Sequence, residues 1–105
     1  MKNCIIHPRF VYDEGINPAN TQRKRNLALQ AHYDISALLR DDPSVFVLET
    51  GNPASVADHY KTGDEVMLYG AYRDGCMEIA RKALETKGVN AEFHPTGSIP
   101  MFLED

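Results

Sequence analysis

The chain has 105 residues, a formal net charge of −4, 43% hydrophobic residues and 25% charged residues. That length sets one domain over residues 1–105 with a single modest core, and the composition excludes a disordered or low-complexity chain. The acidic balance argues against a nucleic-acid partner held by bulk charge. No apolar run approaches the roughly 18 residues that a membrane span requires, so no membrane is expected either. Met1 to Cys4 runs almost at once into Pro8 and Arg9, which leaves no secretory apolar segment. The two cysteines, Cys4 and Cys76, form no disulfide framework and no zinc spacing. A reduced, cytoplasmic protein is the expectation.

Cys4-Ile5-Ile6 and Phe10-Val11-Tyr12 read as one strand interrupted by His7-Pro8. Proline cannot donate to a ladder, which assigns this strand to an edge or a bulge. Asp13 to Asn20 reads as a loop, with Asn17-Pro18 or Asn20-Thr21 capping the next helix. Leu27, Ala31, Ile35, Leu38 and Leu39 form an apolar stripe at helical spacing, ended by Asp41-Asp42-Pro43. The continuous apolar run Val45 to Leu48 predicts a strand buried on both faces. Asn52 and Pro53 then open a short helical excursion through Tyr60, and Glu65 to Tyr69 is a second buried strand. Cys76, Ile79, Ala80, Ala83 and Leu84 predict a helix with Asp74 as cap and Gly88 as stop. Val89, Ala91 and Phe93 alternate as an outer strand, and Pro95-Thr96-Gly97 turns the chain into a last strand, Ile99 to Leu103.

The order β-α-β-(short helix)-β-α-β-β supports two architectures. If the middle strands pair as neighbours, the fold is α+β: a ferredoxin-like β-α-β-β-α-β sandwich with an extra C-terminal strand. If residues 52–61 form a crossover, it is a small parallel α/β sheet. The first is preferred, because a parallel crossover takes about a dozen residues and this excursion barely provides them.

Several groups could carry chemistry. Cys76 and Arg81 have the C-x4-R spacing of rhodanese and phosphatase loops, but Cys76 also opens the apolar stripe of its helix, which favours packing. The stretch Met67 to Cys76 resembles the nucleophile segment of isochorismatase-like cysteine hydrolases. Those enzymes also use an early Asp and a Lys, where this chain has His7 or Arg9 and Glu49. Gly70 and Gly75 flank a strand-to-helix loop of a kind that can hold an anion, but plain turn geometry is the preferred account of them. His7, His32, His59 and His94 share no metal-ligand spacing, so no metal site is expected. Tyr60, Tyr69 and Tyr72 cluster around the middle strands, as half-buried packing residues or as a face for an aromatic base or a cation. Arg23-Lys24-Arg25 sits in the first turns of a helix, where the dipole disfavours cations. These side chains are either a solvated face or a reach toward an anionic group.

Taken in order, several elements resemble the phage S-adenosylmethionine-degrading enzymes, hydrolases in name and lyases in chemistry. They are Asp13-Glu14, Asn17, Thr21-Gln22-Arg23-Lys24-Arg25, Leu48-Glu49, His59-Tyr60, Asp64-Glu65-Val66 and Glu78-Ile79-Ala80-Arg81-Lys82-Ala83. The resemblance implies a homotrimer of ferredoxin-like subunits with active sites between them. It implies cleavage of S-adenosylmethionine to methylthioadenosine and homoserine lactone, through attack by the substrate's own carboxylate and without metal or cofactor. Glu65 and Tyr60 would then be catalytic, with Tyr69, Tyr72, Asp64, Arg23 and Arg25 binding substrate. Two further readings stand beside it. One is a non-catalytic ferredoxin-like module for a small ligand or protein partner; the other is a rhodanese- or isochorismatase-like cysteine enzyme.

Overall fold

The computed structural model describes residues 1–102. Four strands, β1 (Lys2–Ile6), β2 (Phe46–Leu48), β3 (Glu65–Ala71) and β4 (Asn90–Ile99), form one sheet in the order β2-β1-β3-β4. Every pairing is parallel: Ile5 lies opposite Val47 on one side and Tyr69 on the other, and Val66 lies opposite Ala91. This is the small α/β sheet, and the ferredoxin-like arrangement, which mixes antiparallel pairs, is set aside. Residues 49–64, with a 3₁₀ helix at Pro53–His59, carry the chain past β1, so β3 pairs with β1 and not with β2.

Helices α1 (Pro8–Ile16) and α2 (Gln22–Asp41) cover one face of the sheet, and α3 (Cys76–Thr86) with the 3₁₀ helix covers the other. Strand alternation divides the core accordingly. Ile5 packs with Val11, Ala28, Ala31, Ile35, Ala71 and Ile99, whereas Cys4 and Ile6 pack with Val56, Leu68, Met77, Ala80 and Leu84. No helix among the described residues is long and apolar enough to cross a membrane.

Four local expectations are corrected. Phe10-Val11-Tyr12 belongs to α1: Pro8 takes the first helical position, where its missing N–H is harmless, so β1 ends before it and lies in the middle of the sheet. Helix α1 continues to Ile16, through half of the expected loop. Strand β2 is an edge strand of half-buried residues. Pro95-Thr96-Gly97 is no turn into a further strand. The β3–β4 ladder jumps from Leu68 opposite Phe93 to Gly70 opposite Ser98, so His94 to Gly97 bulge out and β4 resumes in the same direction. The bulge also removes the need for an N–H at Pro95. Of the expected last strand, Ile99 closes β4, and Leu103 lies outside the described residues.

Candidate site at the carboxyl edge of the sheet

In a parallel sheet the crossovers leave a crevice outside the carboxyl ends of the strands, at the point where the chain order reverses. Here β1 leads outward to β2 on one side, and the next strand, β3, lies on the other. The reversal therefore falls between Ile6-His7 and Ala71-Tyr72. The backbones approach closely there: a Cβ on Gly70 would lie 1.9 Å from the Ile6 carbonyl oxygen. The Ala71–Tyr72 peptide is cis.

His7 is the centre of this edge. Its backbone is left-handed (φ 49°), which swings the ring out of the strand's alternation, and its N–H donates to the Leu48 carbonyl at 2.7 Å. The residue is 7% exposed, and neither ring nitrogen has a hydrogen-bond partner among the described residues. The Phe10 ring stands edge-on to it at 5.5 Å and stacks on Tyr72 at 5.7 Å. The Tyr72 hydroxyl donates to Glu14 Oε1 at 3.0 Å, and Lys24 Nζ pairs with Glu14 Oε2 at 3.0 Å. Burial pulls the Glu14 carboxyl upward, but the bonds from Lys24, Asn20 and Tyr72, with the Lys24 charge, outweigh it and hold it below the usual carboxylate range. Burial first, and then the bond to Glu14, pushes the Tyr72 phenol up. Tyr72 therefore stays a donor and Glu14 an acceptor, so the aromatic wall is held at a fixed angle.

Cys76 follows as the first residue of α3, half-buried and packed against the α3-side core. Asp74, expected to cap that helix, instead accepts from the N–H groups of Met101 and Phe102, and Gly75 takes the cap position without a side-chain bond. Arg25 and Arg73 each carry a buried Nε with no hydrogen-bond partner among the described residues. The start of α2 lies on the same edge, since Lys24 reaches both Glu14 and the Met101 carbonyl.

The structure divides the residues named from the sequence between two ends of the sheet. Tyr72, Arg23 and Arg25 belong to the carboxyl edge. Tyr69 lies within β3, stacked on His94 at 4.4 Å on the α2 side. Tyr60, Asp64 and Glu65 stand at the amino edge. Tyr60 is buried in the α3-side core, its hydroxyl turned to Cys4 and its phenol pushed up, first by burial and then by Cys4. Asp64 accepts from Lys2 Nζ at 3.0 Å and from the Lys61 N–H at 2.9 Å. Glu65 is exposed opposite Asn90, one residue before Val66 and hence on the other face from Tyr60. Within one chain Tyr60 and Glu65 do not meet.

His7, Phe10 and Glu14 were missed as a group. The signal was present: an apolar strand followed by His-Pro is a strand end with a helix start, because histidine tolerates the left-handed region and proline suits the first helical turn. Comparison of the chain with protein-family models, with curated proteins and with solved structures finds no match.

Proposed function

We propose that the chain is an enzyme for a small polar molecule bound at the carboxyl edge between β1 and β3, with His7 exchanging a proton with it. One observation carries the reading: a buried imidazole with both nitrogens unpaired among the described residues, at the reversal point of a parallel sheet. A neutral imidazole offers one donor and one acceptor, and burying both unmet is costly unless a bound group meets them. The Phe10–Tyr72 wall gives a ring surface beside it, and the Glu14–Lys24–Tyr72 network fixes that wall. The test is incubation with a mixture of small metabolites, followed by mass spectrometry. At least one compound should be consumed, and His7→Asn should slow its loss by about a hundredfold or more. Consumption unchanged in His7→Asn overturns the assignment. Binding without consumption favours the non-catalytic module.

A second reading is the S-adenosylmethionine lyase implied by the sequence resemblance. Holding a sulfonium substrate folded for attack by its own carboxylate needs aromatic walls and a carboxylate more than a nucleophile. Phe10, Tyr72 and Glu14 supply those kinds of group, which favours this reading at the carboxyl edge and not at Tyr60 and Glu65. Methylthioadenosine formed in chelator-containing buffer, lost in Glu14→Gln and retained in Glu65→Gln, is the outcome that selects it. The homotrimer belongs to this reading and is checked by sedimentation.

A further inference from the structure

Beside the His7 crevice, a separate cleft of about 440 Å³ opens between α1, α2 and the end of β2. Tyr12, Ile35 and Leu39 make its apolar wall, with the His32 ring tilted against Tyr12 at 5.5 Å. Arg9, in the first turn of α1 just after β1, and Glu49, just after β2, line it, and neither side chain has an ion pair or hydrogen bond among the described residues. The bond from the His7 N–H to the Leu48 carbonyl clamps those two strand ends together, so residues 9 and 49 share one rim.

We propose that this cleft binds a zwitterionic α-amino acid with an apolar side chain. The ligand carboxylate meets the Arg9 guanidinium, its ammonium meets Glu49, and its side chain lies on Tyr12, Ile35 and Leu39. The volume is in the range of small-molecule sites, which are mostly apolar with a few charged groups that set orientation. A purely apolar ligand leaves both charges unmet, and a simple anion leaves the apolar wall in water. A zwitterion with an apolar tail satisfies all three features. This site does not depend on proton transfer by His7.

The test is an amide-resonance titration of the whole chain with L-leucine and L-phenylalanine, beside 4-methylpentanoate and isoamylamine, which are leucine without its ammonium and without its carboxylate. The two amino acids should give saturable shifts confined to residues 9–12, 32–39 and 49–50, and the analogues should bind more weakly. Arg9→Gln and Glu49→Gln, at exposed positions, should each weaken binding about tenfold while the remaining spectrum stays native. His7→Asn should leave the titration unchanged, so the cleft can fail while the His7 reading stands, and the reverse. No saturable shift, equal binding of the single-charge analogues, or binding retained in the double variant overturns the proposal.

Discussion

Gly70 stands where the β1 and β3 backbones come closest, and two independent constraints meet in it. Its φ of 118° lies in a region that side chains rarely adopt, and any Cβ would collide with the Ile6 carbonyl. Gly70→Ala should destabilise the fold by about 3 kcal/mol or more, because neither backbone can withdraw without breaking the ladder; denaturant melts measure this. The spacing of Gly70 and Gly75 reads as turn geometry, with an anion loop as the lesser reading, but Gly70 is a packing requirement of the sheet. Spacing in a sequence carries no distance between strands, and so the reason for this glycine was not legible. His7-Pro8 marked the strand end, but not the burial of the imidazole. Its importance comes from burial and a left-handed backbone, and the pattern of apolar residues around it reported only the proline.

At the scale of elements, the helical stripes located α2 and α3, although Leu27, Leu39 and Ile79 end up exposed, and the apolar runs located β2 and β3 but not the half-buried state of β2. Direction was not readable, since parallel and antiparallel strands share one alternation. The segment decisive for topology, residues 49–64, is the least periodic. The same layering distinguishes the two thiols. Cys4 lies in central β1, and burial pushes its thiol up to about 12. Cys76 lies at the start of α3 and is partly exposed. An aromatic disulfide reagent should therefore modify Cys76 alone in the native protein and both thiols in denaturant, since the thiolate is the reacting species. Rapid native labelling of Cys4 contradicts the placement of β1 in the middle of the sheet.

For the whole molecule, the radius of gyration of 13.2 Å is that of a compact domain of this length. Two core layers share one narrow sheet, and several carboxylates tie its margins together. Glu14 joins α1 to α2 and to Tyr72, Asp74 holds Met101 and Phe102, and Asp64 holds Lys2. All three carboxyls lie below their ordinary range. A depressed carboxyl contributes stability that is present above its unfolded value and lost as pH falls through its folded value. Stability should therefore hold at neutral pH and decline below about pH 4. Glu14→Gln should make that decline shallower, with lower stability at pH 7, in denaturant melts at a series of pH values. An unchanged acid limb shows that Glu14 contributes nothing to the native state.

The central position of β1 has a consequence for the order in which this protein is made. A ribosome delivers β1 first, yet its two ladder partners emerge some forty and sixty residues later. Apolar β1 must therefore wait for its first partner until β2 is made, and for its second until β3 follows. Nascent chains halted before Glu65 should remain open to proteases, and protection should arrive abruptly once β3 has cleared the exit tunnel.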